Sequence, residues 1–310
     1  ATNQKVEGGG EYYIISRSFG INIGAAIGLT LYLSQAISIA FYAIAFSEAF
    51  DGVIEWLNDT YQIFIWDKRF ISAPLVLILS VLMLSKGAQL GIKILYPVVA
   101  ILVVSLLFLF LGDTNYMSEN ENFDFFKTIQ NPDSFFIVFA IIFPAFTGMT
   151  AGVGLSGDLL DPKKAIPLGS LMATFTGMLI YLFIAYKLTI SASPEDLASD
   201  QLIMGKIALW GPIIALGLAA ATFSSALGSI MVAPRTLQAL ASDEIIPNRR
   251  INALLSKETK KGEPFNATVI TIMIALFFLL VGDINMVAQI ISMFFMVTYG
   301  AICSISFLQH

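Results

Sequence analysis

The sequence has few of the residues on which enzymes and metalloproteins depend. It contains a single histidine, His310, and a single cysteine, Cys303, which lies in an apolar segment. A His-based catalytic triad, a His-based metal site and a disulfide framework are therefore excluded. No basic patch interleaved with aromatic residues is present, so nucleic acid is not an expected partner. We expect no enzyme activity, no cofactor and no transition metal.

Charge is also scarce. Charged residues make up 13% of the chain and hydrophobic residues 57%, with a mean hydropathy of +0.80, whereas soluble domains carry about 25% charged residues. Several apolar runs approach or exceed the roughly 20 residues that cross a bilayer. We predict an all-α, multi-pass integral membrane protein whose main partner is lipid. The predicted spans are 20–50, 70–86, 88–112, 134–158, 165–190, 211–240, 265–282 and 284–308.

The distribution of basic residues predicts how these spans are oriented. Lysine and arginine concentrate in cytoplasmic loops. One set of alternate loops carries most of the 17 lysines and arginines, and the other carries most of the acids. We therefore predict that the basic set faces the cytoplasm, that span 20–50 runs outward and that span 134–158 runs inward.

The stretch FPAFTGMTAG, residues 143–152, places a proline and two glycines inside a predicted span. Glycine costs a helix interior roughly 1 kcal/mol and proline roughly 3 kcal/mol. Non-helical backbone at membrane depth persists only where it is buried in protein or lines a watery cavity. We predict a discontinuous helix that stops at Pro144 and is freed by Gly148 and Gly152. The alternative is a simple proline kink or a small-residue packing face.

A discontinuous helix could bind ions without fixed charge. The start of its second half exposes backbone N–H groups at a positive dipole end, which is a ready anion site. Here those groups belong to Gly148, Met149 and Thr150. Carbonyl groups freed at the end of the first half can coordinate cations, as in transporters built from broken helices.

Other spans carry hydroxyl groups at unusual depth. Ser224 and Ser225, next to Thr222, lie in the middle of span 211–240. Hydroxyl and carbonyl oxygens are the ligands that hard cations prefer, so these serines are candidate sodium ligands. The alternative is that they bond back to their own helix or to a neighbouring one.

Two tyrosines and one glutamate are further candidates. Tyr42 and Tyr299 place phenols in mid-span, although tyrosine usually lies at the membrane interface. Each phenol either belongs to a binding site or forms a hydrogen bond with a neighbouring helix. Glu48 lies near the outer end of its span and is either an outer-gate residue or a hydrated helix terminus. Apart from Glu48 and Lys93, no charged residue lies well inside a predicted span. Transported cations would then be balanced by a travelling anion such as chloride, or by a substrate carboxylate.

Three stretches resemble the cation–chloride cotransporters, the sodium–potassium–chloride cotransporter family of the amino acid–polyamine–organocation superfamily. They are GGGEYYIISRSFGINIGAAIGL (8–29), FFIVFAIIFPAFTGMTAGVGLSGDLLDPKKAIPLGSL (135–171) and ATFSSALGSIMVAPRTLQAL (221–240). The resemblance implies a single transporter domain, 1–310, with the LeuT-type inverted-repeat fold and a discontinuous sixth helix. It also implies a fragment that runs from the end of the second helix to the tenth, truncated at both ends. The missing first helix would supply half of the cation ligands.

The same resemblance implies roles for individual residues. Implied potassium ligands are Tyr42, Pro144 (through its carbonyl) and Thr147. Implied chloride ligands are Gly148, Met149 and Thr150, through backbone N–H groups, together with Tyr299. Implied sodium ligands are Ala221 (through its carbonyl), Ser224 and Ser225. Thr150 departs from the family pattern, which usually has a large apolar residue there.

The expected function is therefore secondary active symport of chloride with sodium, potassium or both by alternating access. We expect a homodimer in the plasma membrane of the cell.

Two alternatives remain open. An amino-acid or polyamine permease of the same superfamily would hold a substrate carboxylate at the half-helix N-terminus. A non-transporting membrane scaffold would keep the fold without turnover.

Overall fold

The computed structural model of the chain describes residues 9–52, 54, 61, 67–86, 88–112, 129, 131–148, 150–154, 161–259 and 262–309. Every element of secondary structure assigned within these ranges is a helix. In chain order the α-helices are α1 (Gly10–Phe19), α2 (Ile21–Glu48), α3 (Arg69–Lys86), α4 (Ala88–Leu111), α5 (Phe135–Ile142), α6 (Thr150–Gly154), α7 (Pro162–Ser191), α8 (Pro194–Ser199), α9 (Ile203–Ile207), α10 (Pro212–Ser242), α11 (Arg249–Leu255), α12 (Phe265–Val281) and α13 (Ile284–Gln309).

The helices confirm the predicted all-α membrane protein. Every predicted span coincides with helix to within a few residues, except 134–158, which is interrupted. Among the described residues, five helices are long and apolar enough to cross a bilayer: Ile21–Glu48, Lys93–Leu111, Lys163–Ser191, Pro212–Ser242 and Ile284–Leu308. Shorter apolar helices cover Arg69–Leu84, Phe135–Phe146 and Phe265–Val281.

Helix α2 lies at the centre of the bundle. It contacts α1, α3, α10, α12 and α13, and its buried residues are spread around its circumference. A helix that is apolar all round is suited to such a central position. Ile39, Ala40 and Ala43 of α2 pack with Leu227 and Ile230 of α10 in the largest buried cluster. By contrast α7 is almost wholly exposed in this chain.

The two ends of the bundle are held by different polar contacts. At one end, Arg17 of α1 donates two hydrogen bonds of 2.9 Å to Asp243 beyond α10, and the Tyr12 hydroxyl donates to the same carboxylate at 2.8 Å. Burial, then the contact with Asp243, raises the pKa of Tyr12, so its phenol stays protonated. At the other end, Lys187 of α7 donates to the Gly112 carbonyl at 2.6 Å. Arg17 belongs to the basic loop set that we predict to be cytoplasmic.

Helices α1 and α2 approach so closely that only glycine fits between them. A Cβ atom built on Gly24 would lie 2.4 Å from Ser16 Cα, a backbone atom that cannot rotate away. We expect Gly24→Ala to destabilise the protein by about 1–3 kcal/mol, the usual cost of overpacking. Thermal unfolding of the purified protein in detergent measures this. Gly177→Ala on α7, where a Cβ meets nothing within 4 Å, is the matched control and should unfold at or above the wild-type temperature.

Candidate ion-binding cavity at the broken helix

The predicted break is present between α5 and α6. After Ile142 the chain forms a 3₁₀ turn, Phe143–Phe146, and Thr147 is extended with φ −92° and ψ 177°. Gly148 follows in the left-handed region with φ +100°. Two details of the prediction are wrong: Pro144 lies inside the 3₁₀ turn beyond the end of α5, and Gly152 lies within α6. Among the described residues of the break, Thr147 and Gly148 are the ones whose dihedrals leave the helical region.

Thr147 donates two hydrogen bonds to the carbonyl oxygen of Pro144. Its backbone N–H donates to that oxygen at 3.1 Å, and its side-chain hydroxyl donates to the same oxygen at 2.7 Å. A carbonyl oxygen has two lone pairs, and both are engaged by Thr147. A cation bound to the Pro144 carbonyl would therefore replace the Thr147 hydroxyl, which would turn its own oxygen toward the ion.

The backbone N–H of Gly148 points to the phenol of Tyr299. It donates to the Tyr299 hydroxyl oxygen at 3.4 Å, which is long for a hydrogen bond of this type. Of the other predicted anion ligands, Met149 lies outside the described residues, and Thr150 is the first residue of α6.

A cavity of about 240 Å³ opens beside the break. Its walls come from α2, α4, α10, α13 and the broken segment. Five of its lining residues are among those predicted from the sequence: Tyr42, Thr147, Gly148, Ser224 and Ser225. The remaining lining residues are Gln35, Leu95, Gly228, Ser229, Val232 and Phe295. The structure thus brings predicted potassium, chloride and sodium ligands to one cavity.

Tyr42 and Thr147 meet across this cavity. The Tyr42 phenol is close enough to the Thr147 side chain to interact with it, although the two residues lie on segments far apart in sequence. Tyr42 packs on Phe41. Tyr299 lies behind the break against Phe143 and Phe295, with ring centroids 6.3 Å and 5.6 Å away, and is not part of the cavity lining.

The hydroxyl groups of α10 divide into those that line the cavity and those that do not. Ser224 lines it, yet its hydroxyl donates to the Ala221 carbonyl at 2.9 Å. Thr222 is buried and donates to the Leu218 carbonyl at 2.8 Å. Bonding back to the same helix, the alternative considered from the sequence, therefore occurs for both. Because Ser224 donates its hydrogen in this bond, the lone pairs of its oxygen remain available for a cation. Ala221 itself is not part of the cavity lining.

Glu48, the predicted outer-gate residue, lies outside the cavity. It is the last residue of α2 and lies about 9 Å beyond Tyr42 along the helix, at 1.5 Å per residue. It is half-buried near Lys68 and Asp51, which pair with each other at 2.8 Å. Its surroundings are polar and belong to the end of the bundle opposite Arg17.

Sequence reasoning missed half of the cavity wall. Gly228 and Ser229 follow Ser224 and Ser225 at the spacing of one helical turn, and Gln35 precedes Tyr42 by two turns. These spacings put the residues on the same helix faces as the predicted ligands, so they could have been found. Phe295 and Leu95 carried no such signal. Among the described residues, no group of histidine, cysteine, aspartate and glutamate is arranged to hold a metal ion.

A multi-pass helical bundle with a broken helix beside an internal cavity is the architecture of a membrane transport protein. The chain belongs to the amino acid permease family, which matches residues 1–309. It is 32% identical to solute carrier family 12 member 2 of Mus musculus and of Homo sapiens, over 97% of this chain and 29% of each relative. It is 31% identical to solute carrier family 12 member 8 of Mus musculus, over 95% of this chain and 42% of that relative.

These relatives confirm the resemblance to the cation–chloride cotransporters. They are transporters, and the chain belongs with transport proteins and not with enzymes. It is a multi-pass integral membrane protein. The chain spans less than a third of the length of the member 2 proteins that it matches.

Proposed function

We propose that this chain forms the core of a secondary active symporter that moves chloride together with sodium, potassium or both by alternating access. The observation that carries the proposal is the cavity of about 240 Å³ in which Tyr42, Thr147, Ser224 and Ser225 present neutral oxygens next to the Gly148 N–H. Cations bound by neutral oxygens need a co-transported anion, and the half-helix start offers a place for it.

In this proposal each ion has its own part of the cavity and of the wall behind it. Potassium lies between Tyr42, Thr147 and the Pro144 carbonyl. Sodium lies against α10 at Ser224, Ser225 and the Ala221 carbonyl. Chloride lies at the N–H groups of Gly148, Met149 and Thr150, with Tyr299 donating its hydroxyl hydrogen.

The proposal includes the LeuT-type inverted-repeat fold, a place in the plasma membrane, and self-association as a homodimer. No cofactor is needed, because alternating access moves ions without covalent chemistry. Glu48 is the proposed outer-gate residue, since it ends α2 at the end of the bundle opposite Arg17.

Uptake of rubidium, a potassium surrogate, tests the proposal in vesicles that contain the full-length protein. We expect uptake to fall to background when external chloride is replaced by gluconate, and to fall several-fold when sodium is replaced by N-methylglucamine. Uptake that is indifferent to both replacements would contradict the proposal. The double variant Ser224→Ala with Ser225→Ala should lose the sodium dependence, whereas a non-transporting scaffold would show no ion-dependent uptake to lose.

Transport of an amino acid is the second candidate. The chain's family and the size of the cavity favour it, because about 240 Å³ can hold a small amino acid whose carboxylate takes the place of chloride. Labelled amino acids should then enter the vesicles, and an amino acid should raise the unfolding temperature where chloride does not. Stabilisation by chloride alone would reject this candidate.

A further inference from the structure

One end of the cavity is polar and lies outside all of the proposed ion sites. Gln35 lines it and is only 5% exposed. Gln35 lies on α2 about 10 Å from Tyr42 along the helix axis, at 1.5 Å per residue. Ser229 and Val232 of α10 line the same end. This end is nearer to Arg17 and Asp243, on the side that we predict to be cytoplasmic.

The amide group of Gln35 is oriented by hydrogen bonds to two helices. Thr236 of α10 donates to Gln35 Oε1 at 2.9 Å. Gln35 Nε2 in turn donates to Glu11 Oε2 of α1 at 3.3 Å. A carbonyl oxygen carries two lone pairs, so Oε1 can accept from Thr236 and still contact one ion in the cavity.

Glu11 lies behind Gln35 at this end of the cavity and does not itself line it. It lies on α1, outside the predicted spans, and is only 2% exposed. The spans themselves are nearly neutral, so Glu11 is the acidic group that Gln35 connects to the cavity. Charges interact more strongly in a low-dielectric interior than in water. A buried carboxylate behind the amide therefore favours a cation at the cavity end and disfavours chloride there.

We propose that Gln35 and Glu11 form a cation release station at the cytoplasmic end of the cavity. The Gln35 amide oxygen contacts a partly dehydrated monovalent cation, potassium or sodium, and Glu11, which accepts from Gln35 Nε2, orients the amide and adds negative potential at this end of the cavity. The cation that leaves Tyr42 and Thr147 passes this station before it reaches the cytoplasm. The inference rests on the proposed function for its place in the transport cycle.

The charge-removing variant Glu11→Gln tests the station in the full-length protein. We expect the KM for internal rubidium, measured from efflux, to rise about ten-fold, as when a hydrogen-bonded charge is lost. The KM values for external rubidium and for chloride should stay within about two-fold of wild type. Gln35→Met, which keeps the length and removes the amide, should show the same one-sided rise. Glu244→Gln is the control, because Glu244 is exposed beyond the same end of α10 and should leave every KM unchanged.

An unchanged internal KM in Glu11→Gln would overturn the station. An equal rise on both sides of the membrane would also overturn it, because this marks a structural role. Thermal stabilisation by rubidium gluconate, without chloride, separates the station from the proposed function. If wild type shows no cotransport but is stabilised by rubidium, and Glu11→Gln removes this stabilisation, the symport proposal fails and the station stands. If rubidium does not stabilise wild type, the station fails.

Discussion

Gly148→Ala is expected to reduce chloride-dependent rubidium uptake about ten- to hundred-fold. Gly148 has φ +100°, a conformation that L side chains rarely adopt and that costs roughly 1–3 kcal/mol for other residues. A Cβ atom at this position would meet nothing within 4 Å. The loss would therefore come from the backbone turning away, which moves the Gly148 N–H that we propose as a chloride ligand. The chloride KM in vesicles measures the effect directly.

Gly152→Ala is the matched control for this experiment. Gly152 lies only a few residues further on and also has open space around its Cβ, but it lies within α6. Alanine favours a helix over glycine by about 1 kcal/mol, so Gly152→Ala should transport normally. Equal uptake by the two variants would show that the left-handed turn at Gly148 is not needed for anion binding.

Tyr42→Phe should raise the KM for external rubidium about ten-fold or more. The substitution removes one hydroxyl from the cavity wall while keeping the ring, and a hydrogen bond or ligand to a charged group is worth about 1.5–3 kcal/mol. The chloride KM should change by less than about two-fold, because the phenol of Tyr42 interacts with Thr147, whereas the Gly148 N–H donates to Tyr299. Uptake at a series of rubidium concentrations measures both values.

Tyr32→Phe separates the loss of a ligand from the loss of a buried hydroxyl. Tyr32 lies on the same helix and is 3% exposed. Its hydroxyl pairs with Thr271 at 3.3 Å and does not line the cavity. We expect this variant to lose some thermal stability and to keep its rubidium KM. A similar rise in KM for both variants would contradict a specific role for Tyr42 in cation binding.

The broken helix was the most predictable part of the candidate site. The free-energy cost of proline and glycine in a helix is local. The composition of residues 143–152 therefore predicts the interruption without any knowledge of the neighbouring helices. Its details were less predictable: Pro144 is tolerated in a 3₁₀ turn and Gly152 is helical, and among the described residues of the break it is Thr147 and Gly148 that have non-helical dihedrals. Ser224 and Ser225 both line the cavity, whereas the hydrogen bond from Ser224 back to Ala221 depends on side-chain rotation and could not be read from the sequence.

The sequence by itself determined the class of this protein, because apolar length and the scarcity of charge decide whether a chain belongs in lipid. It also determined where one span is interrupted. Only the tertiary structure decided that Tyr42 of α2 meets Thr147 at the break, and that Gln35 connects Glu11 and Thr236 to the same cavity. These contacts join residues far apart in the chain, and packing between helices, unlike helix propensity, has no local sequence code. Glu11 illustrates this most clearly: in the sequence it stands outside every predicted span, and the approach of α1 to α2 buries it.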